Sequence, residues 1–587
     1  MTPKEHLLKL LKLALANIAP GQEDVIELER PKAGGHGDFS CNVAMRLAKT
    51  LKKSPRDLAQ AIVADLPASP LLEKAEIAGA GFINLFLRPV AWAQVVETIR
   101  TQGSHYGNSQ TGKGQRVQVE FVSANPTGPL HVGHGRGAAY GASLANVLEA
   151  AGHAVTREYY VNDAGRQMDI LALSTWLRYL ERHGILVPFP TNAYQGEYVR
   201  EMAAAIQEEH GDRYVHEPWR ILDGVPLRPD DERVAGGDAE AKAQNEAHLD
   251  GLIAAAKRLL DVDYPYFHGF ALNEQLADCR ADLAEFGVGF DEWFSEKSLF
   301  DTGRVAAAVE TLKRRGHLYE QDGALWFKAK SFGDEKDRVV QRANGEFTYF
   351  ASDIAYHANK VERGFDRIID VWGADHHGYI PRVKAALTAL GLDSEKLTVA
   401  LVQFAVLYRG GQKVQMSTRS GSFVTLRELR GEVGNDAARF YYVLRKSDQH
   451  LDFDLDLAKS QSTDNPVYYI QYAHARVCSV LAEWGGETSA LKSADLGRLA
   501  SVHELALMKR LLEYPEIIEA AARELSPHMI AYYLKDLAGD LHTYYNAEKF
   551  LVEDEALKLA RLALVSATRQ VLANGLALLG VKAPEKM

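Results

Sequence analysis

The sequence predicts an α/β protein with a doubly wound, parallel, Rossmann-like sheet, preceded by an α+β unit and followed by an all-α helical bundle. Segments of strand and helix character alternate through the middle of the chain, which is typical of a parallel sheet. The first hundred or so residues mix both patterns, and the last part repeats apolar residues with a helical period of about 3.6. We therefore predict domains at residues 1–110, 111–460 and 461–587.

The composition is that of a globular protein with several hydrophobic cores. Of 587 residues, 47% are apolar and 25% are charged, which argues against disorder and fibrous structure. No apolar run reaches the roughly 18 residues that span a bilayer, so no membrane partner is expected. Three cysteines are too few for a disulfide framework, and a reducing cytoplasm is the simplest location. The net charge of −11 gives no sign of a nucleic-acid partner, so any basic face that binds phosphate groups must be local.

In the first unit, apolar residues from Leu7 to Ile18 share one helical face. Two further helices are predicted at 42–51 and 55–64, and residues 77–87 have a strand pattern. Glycine and polar residues at 103–114 indicate a linker to the middle domain.

The central stretch begins with a predicted strand, Val117–Val122, and a proline-rich break. A helix is predicted from Gly135 onward, with His131-Val132-Gly133-His134 at its entrance. The free N–H groups of a helix N-terminus form an anion site, and two imidazoles can donate hydrogen bonds to a phosphate. Metal ligation, or a core histidine bonded to a carbonyl, is the alternative reading of such a pair.

A second strand is predicted at 155–161, followed by a turn that contains Asp163 and Gln167. Ligands of doubly wound sheets bind beyond the carboxyl ends of the strands, so both residues are candidates for a substrate pocket. An Asn-Asp pair is also a common helix N-cap. Residues from about 188 to 256 are polar and charged, and we interpret them as a short insertion between the halves of the sheet.

In the second half of the sheet, Tyr349, Asp353 and Tyr356 fall on one helical face. An aromatic ring and a carboxylate together suit a planar cation, although a solvent-exposed face with a capping aspartate has the same pattern. The next predicted strand ends in Gly373-Ala374-Asp375-His376-His377, where a glycine and an acid suit a ribose. No metal site is predicted there, because no other cluster of cysteine or histidine lies nearby in the sequence.

Residues Val399–Leu407 read as one strand, which leads into the polar loop Gln415–Gly421. Taken alone, this loop has no distinctive chemistry. The chain after Asn465 reads as helices, with tyrosines that suit either the core or base stacking.

Several separated blocks carry a family resemblance. His131-Val132-Gly133-His134 resembles the HIGH signature of class I aminoacyl-tRNA synthetases, and with the preceding SANPTGPL run it resembles arginyl-tRNA synthetases in particular. The MSTRSG loop resembles the second signature, KMSKS, with Gln415 and Thr418 in place of its lysines. Blocks near both termini resemble the N-terminal tRNA-contacting domain and the helical anticodon-binding domain of that family.

The resemblance implies a bacterial-type arginine–tRNA ligase of protein biosynthesis. Such an enzyme uses ATP with Mg²⁺ to activate arginine and transfers it to the terminal ribose of tRNA(Arg); we expect it to be a cytoplasmic monomer. By the resemblance, the catalytic residues are His131, His134 and Arg419, with Lys413 and Arg136 as other candidates for the phosphate-binding cation. The ATP-binding residues are Gly133, Gly135, Gly373, Asp375, Met416 and Ser417. The arginine-binding residues are Glu120, Ser123, Asn125, Asp163, Gln167, Glu296, Tyr349, Asp353 and His377.

Two other functions remain open at this point. A small-molecule adenylyltransferase shares the HxGH loop, but it would leave the long helical C-terminus unexplained. A non-catalytic, synthetase-like RNA-binding protein fits the altered second signature, but it does not require both histidines.

Overall fold

A computed structural model describes residues 2–31, 36–414 and 424–587 of the protein. Its first unit contains a four-stranded antiparallel sheet in the order β1-β2-β4-β3 with helices packed against it. The elements are α1 (Pro3–Ile18), β1 (Leu28–Glu29), β2 (Phe39–Cys41), α2 (Val43–Leu51), α3 (Pro55–Ala64), β3 (Leu72–Ala78), β4 (Phe82–Leu87) and α4 (Pro89–Gln102). The predicted strand at 77–87 is a hairpin of two strands, because the chain reverses at the positive-φ glycines Gly79 and Gly81.

The middle unit contains the parallel sheet and a helical insertion. Its first half comprises β5 (Arg116–Glu120), α5 (Val132–Ala150), β6 (Ala154–Val161), α6 (Arg166–Arg182), α7 (Glu197–His210), α8 (Pro218–Ile221), α9 (Asp231–Ala235), α10 (Ala239–Leu260), α11 (Tyr264–Glu285), β7 (Glu292–Ser295), α12 (Lys297–Asp301) and α13 (Arg304–Arg314). Its second half comprises β8 (Leu318–Gln321), β9 (Ala324–Phe327), β10 (Arg338–Gln341), α14 (Tyr349–Glu362), β11 (Arg367–Gly373), α15 (Ile380–Ala389), β12 (Leu397–Val402), β13 (Ala405–Arg409), β14 (Gln412–Lys413), α16 (Leu426–Val433), α17 (Asn435–Val443), β15 (Leu451–Asp454) and α18 (Leu455–Lys459).

The last unit is a bundle of four long helices, as predicted. They are α19 (Pro466–Trp484), α20 (Val502–Arg523), α21 (His528–Ala547) and α22 (Glu555–Leu578). Of the tyrosines considered for base stacking, Tyr533 and Tyr544 are buried, whereas Tyr532 and Tyr545 are partly exposed.

Five parallel strands form the central sheet, in the order β12-β11-β5-β6-β7. The chain winds outward from β5 in both directions, so the doubly wound fold predicted from the sequence is confirmed. The topological switch point lies between β5 and β11, and the crevice at their carboxyl ends is where such sheets bind ligands.

The predicted strand Val399–Leu407 is wrong as a single element. It divides at Gln403 and Phe404 into β12, in the parallel sheet, and β13, which pairs with β14 and β15 in another sheet. The backbone N–H of Gln403 donates to the carbonyl of Ser447 at 2.8 Å, so the chain leaves the first sheet there. An apolar run gives no signal for such an exchange.

One large hydrophobic core runs through the first unit, the parallel sheet and the helical bundle. Helix α6 and the insertion helices share a separate core, which includes Trp176, Tyr179, Leu252 and Phe267. An ion pair also joins the first unit to the helical bundle, because Arg30 Nη1 lies 2.9 Å from Glu513 Oε1. Within the described ranges, no helix is both long and apolar enough to cross a membrane.

Candidate active site

A cleft of ≈ 1420 Å³ lies beyond the carboxyl end of β5. Four residues predicted from the sequence lie in its wall, namely Asn125, His131, His134 and Gln167. Helices α7 and α11 of the insertion contribute to the lining as well. The cleft therefore lies between the sheet and the insertion, beside the switch point.

The two histidines are held by backbone N–H groups at the start of α5. His131 is the N-cap, and its Nδ1 accepts from Gly133 N at 3.1 Å, while Nδ1 of His134 accepts from His131 N at 3.3 Å. Since Nδ1 accepts in both rings, the neutral imidazoles carry their protons on Nε2. Burial lowers the pKa of His131, and it lowers the pKa of His134 to about 3. Both rings are therefore neutral hydrogen-bond donors at physiological pH.

The helix begins three residues earlier than predicted, at Val132. The rings of His131 and His134 stack with their centroids 3.7 Å apart. A Cβ atom at Gly133 would lie 2.8 Å from the His131 ring, so a side chain at this position would displace the ring. This explains why a glycine separates the two histidines.

The segment after the second signature loop is paired with the first signature. Val132 N donates to Val424 O at 3.1 Å, and Leu426 N donates to Leu130 O at 2.8 Å. The predicted residues Met416, Ser417 and Arg419 lie outside the described part of the chain. The described residues that follow it, from Val424 onward, lie beside the first signature, and Thr425 forms a β-bridge with His131.

Arg136 cannot serve as the phosphate-binding cation, contrary to one of our predictions. It is buried, and its guanidinium donates to the carbonyls of Gln403, Lys446 and Gln449 at 2.7–3.0 Å. A guanidinium held by three carbonyls has no access to the cleft. Its structural role is to fasten α5 to the point where the chain passes from β12 to β13.

Phe404, at the same point, was missed by the sequence analysis. It is 52% exposed, and its ring lies 3.5 Å from the place of a Cβ atom at Gly133. A large exposed apolar ring beside a glycine of the anion site is suited to stacking against a flat ligand. Its position inside an apolar run concealed it.

The other nucleotide-site candidates lie at different depths. Gly373 ends β11, and the side chains of Asp375 and His377 in the following 3₁₀ turn, Ala374–Tyr379, are exposed. Gly135 instead faces the protein interior, where a Cβ atom would lie 2.8 Å from the Tyr442 ring. Gly135 therefore permits close packing of α5 and has no exposed surface for a ligand.

Acidic and amide side chains meet at the ends of β5, β6 and β7. The Asn162 amide lies 3.0 Å from that of Asn125 and 2.7 Å from Oε2 of Glu296, whose Oε1 accepts from Ser352 Oγ at 2.7 Å. Asp163 accepts from Ser295 Oγ at 2.5 Å and from Lys297 N at 2.8 Å. Asp163 thus holds the turn before α12, whereas Asn125 and Glu296 belong to one connected polar group.

Helix α14 supplies Tyr349 and Asp353 to the same region. Tyr349 is 51% exposed, and its hydroxyl lies 3.2 Å from the place of a Cβ atom at Gly165, which has a φ of +92°. Oδ2 of Asp353 accepts a hydrogen bond from Tyr379. Gln167 is exposed and accepts a hydrogen bond from Tyr194 of the insertion.

Two acids of this group lack a cationic partner. Burial raises the pKa of Glu296 to about 7, with Asp353 and Asp163 adding to the effect. Burial also raises the pKa of Asp353. Across the described residues, neither carboxylate forms an ion pair with lysine or arginine, so this end of the site is suited to a cationic ligand.

A row of buried carboxylates lies beneath the site. Asp370, Glu120 and Glu158 are register partners on the neighbouring strands β11, β5 and β6. Lys360 of α14 is 0% exposed and donates to Glu120 and, at 2.6 Å, to Asp370. Burial opposes a charge on Lys360, but the adjacent carboxylates outweigh it and raise its pKa.

Tyr356 of α14 and Arg363, the C-cap of that helix, complete this row. The Tyr356 hydroxyl lies 2.6 Å from Glu158 Oε1 and 3.0 Å from Glu120 Oε2, and Arg363 donates to Glu158 at 2.9 Å. Glu120 therefore lies behind the pocket, bonded to the protein on several sides. The sequence analysis did not predict this network, although one acid inside the apolar strand 367–372, Asp370, indicated it.

The turn after β5 is strained. Val122 and Ser123 have positive φ values of 68° and 42°, and such angles are costly for a β-branched residue. Ser123 Oγ donates to Glu120 Oε1 at 2.8 Å and accepts from Tyr160 N at 3.1 Å. These bonds fix the turn that presents Asn125 to the cleft.

Comparisons with known proteins agree along the whole chain. Family models match for "Arginyl tRNA synthetase N terminal domain" (residues 5–87), "tRNA synthetases class I (R), catalytic domain" (95–210 and 284–452) and "DALR anticodon binding domain" (470–587). The arginine–tRNA ligase of Azoarcus sp. strain BH72 is 67% identical over 587 residues, covering 100% of this chain and 99% of that protein. That of Nitrosospira multiformis is 65% identical over 585 residues, covering 100% and 98%. The solved structure of Thermus thermophilus arginyl-tRNA synthetase superposes with a TM-score of 0.72 at 25% identity, covering 100% of both chains.

Proposed function

This chain belongs to the arginyl-tRNA synthetase family and is an ATP-dependent arginine–tRNA ligase, and from this premise we propose which of its residues bind each substrate. In the first step, a carboxylate oxygen of arginine attacks the α-phosphorus of ATP. The bond to the β-phosphate breaks and pyrophosphate leaves. In the second step, a terminal ribose hydroxyl of tRNA(Arg) attacks the arginyl carbonyl, and AMP leaves.

Glu296 and Asp353 bind the guanidinium of arginine, with Tyr349 covering it. The observation that supports this assignment is the absence, among the described residues, of a lysine or arginine paired with either acid. A planar guanidinium supplies the missing charge and donates hydrogen bonds in a fork. Asn125 and Ser123 hold the α-amino and carboxylate end, while Glu120 holds their turn in place. Asp163 and Gln167 support the pocket from its rim, and His377 lies on the turn beside it.

His131 and His134 donate from Nε2 to the phosphates as negative charge develops in the transition state. Gly133 and Phe404 flank the adenine ring, and Gly373 and Asp375 bind the ribose. ATP would enter together with Mg²⁺, which would offset the negative charge of its phosphates. Arg419 of the second signature loop supplies the protein cation for pyrophosphate, since Arg136 is committed elsewhere.

The tRNA contacts follow the three proposed domains. Residues 1–110 contact the tRNA body, 461–587 bind the anticodon, and the 3′ end enters the cleft between the sheet of 111–460 and its insertion. Exposed tyrosines of the bundle, such as Tyr545, supply base stacking. We place the enzyme in the cytoplasm as a monomer.

Arginine-dependent exchange of labelled pyrophosphate into ATP tests the assignment of the pocket. The assay is run with and without tRNA(Arg), and with lysine and glutamine as controls. Exchange with arginine alone among the three amino acids supports the pocket. Exchange with lysine at the same rate as with arginine would overturn the assignment of Glu296 and Asp353 to the guanidinium. The compact ammonium group of lysine would then bind as well as the forked guanidinium.

A further inference from the structure

Tyr379 anchors the turn that we assign to the ribose. It is the last residue of the 3₁₀ turn Ala374–Tyr379, directly after β11. The four residues before it, 375–378, are exposed, whereas Tyr379 is half-buried. The position of this turn therefore depends on where the Tyr379 side chain is held.

The Tyr379 ring lies between strand β11 and helix α14. Its centroid is 5.9 Å from that of Trp372 on the strand and 6.2 Å from that of Phe350 on the helix. The guanidinium of Arg382 lies 4.5 Å from the ring centroid. These contacts aim the hydroxyl at Asp353, to whose Oδ2 it donates.

The other oxygen of Asp353 has a different environment. Within the described ranges, Oδ1 accepts no hydrogen bond, and the carboxylate has no lysine or arginine in ion-pair contact. A guanidinium at this carboxylate would therefore share it with the Tyr379 hydroxyl. One carboxylate thus touches both the arginine pocket and the ribose turn.

We propose that Tyr379 is a positioning residue through which arginine and ATP strengthen each other's binding. The proposal rests on the proposed arginine and ribose sites. A bound guanidinium restricts the rotation of the Asp353 carboxylate, and the hydroxyl bonded to it restricts the ribose turn. ATP then binds a turn that is already ordered and loses less conformational entropy. The coupling is reciprocal, so ATP strengthens arginine binding by the same factor.

Calorimetric titration tests this coupling without any turnover. A non-hydrolysable ATP analogue with MgCl₂ is titrated into the full-length enzyme, with and without saturating arginine. For the unaltered protein we expect arginine to lower the Kd of the analogue about fivefold or more. In Tyr379→Phe, which keeps the ring and removes only the hydroxyl, we expect the change to fall below about twofold.

Tyr319→Phe is the matched control. Tyr319 lies on β8, in another sheet, and is also half-buried. Its hydroxyl donates to a carboxylate oxygen of Asp337 at 3.1 Å. Its loss removes an equivalent hydrogen bond without touching the site, so the coupling should remain. The melting temperatures of both variants are measured alongside, because a folding defect lowers the affinity for each ligand alone.

Two results would overturn the proposal. One is equal coupling in the unaltered protein and Tyr379→Phe, and the other is no coupling in the unaltered protein. Failure of the proposed function has a separate signature: Asp353→Ala would then bind arginine alone as tightly as the unaltered protein does.

Discussion

The two ends of the cleft are built in opposite ways. At the arginine end, the acids Glu296 and Asp353 lie against protein partners, above a row of buried carboxylates joined by Lys360. At the nucleotide end, two neutral imidazoles are fixed by backbone N–H groups, and Asp375 and Phe404 face solvent. One end presents an unmatched charge, and the other presents oriented dipoles.

This difference follows from the ligands that we propose. Arginine carries a permanent cation, so a buried acid without a partner selects it against neutral amino acids. The phosphates gain charge as the reaction proceeds, and neutral donors respond to that change without binding the ground state too tightly. We therefore expect mutations at the arginine end to change arginine binding and those at the nucleotide end to change turnover.

The largest effect is expected for Asp353→Ala. It removes one of two acids for the guanidinium, and we expect arginine recognition to weaken by roughly 3–5 kcal/mol, since a buried charge loses its partner. The KM for arginine in pyrophosphate exchange measures this. Glu362→Ala is the control, because Glu362 is an exposed acid at the other end of the same helix. A near-normal KM for arginine in Asp353→Ala would remove Asp353 from the pocket.

The counterpart at the nucleotide end is His134→Ala. Loss of one oriented donor should lower kcat by about 10²–10³-fold while the KM for arginine changes little. Single-turnover formation of the adenylate reports this step. His450→Ala, at an exposed position, is the control. If His134→Ala raised only the KM for arginine, it would contradict our assignment of turnover to the nucleotide end and of arginine binding to the other end.

Phe404→Ala sharpens the same contrast. Removing a ring that stacks on adenine should weaken ATP binding by about 1–3 kcal/mol, with arginine affinity unaffected. The KM for ATP and the Kd of an ATP analogue measure the loss. Phe82→Ala removes an exposed phenylalanine from the first unit and serves as control. An unchanged KM for ATP would place the base elsewhere.

The smallest predicted effect is a pH dependence. Burial raises the pKa of Glu296 to about 7, so its carboxylate is charged above pH 7 and neutral below it. Because the guanidinium needs the charge, kcat/KM for arginine should fall about tenfold from pH 8 to pH 6. Glu296→Gln should flatten that profile. The nucleotide end should not contribute, since the pKa of His134, lowered to about 3, keeps that ring neutral throughout. A flat profile in the unaltered enzyme would contradict the charged role of Glu296.

The sequence was informative where local chemistry and spacing suffice. His131 and His134 could be placed at a helix entrance because the strand, the prolines and the helical period are all local patterns. Lys360 could not be foreseen, since its partners lie 240 and 10 positions away and a lysine in a helix normally faces solvent. Phe404 was concealed for another reason. An apolar run is typical of one strand, and the partners that mark its division, Arg136 and Ser447, lie far from it in the sequence.

The separation of Lys360 from Glu120 also bears on how the protein is made. Their bond spans 240 positions, so at about 5–20 residues per second the ribosome takes roughly 12–50 s to add the lysine after the glutamate. Until then Glu120 and Glu158 have no cation from α14 or its C-cap, and only β5, β6 and β7 of the central sheet exist, because β11 and β12 follow Lys360 in the chain. Helix α6 and the insertion helices, which share a separate core, can fold on the emerging chain during that interval. The arginine pocket is thus completed only when the second half of the sheet closes onto the first, late in synthesis.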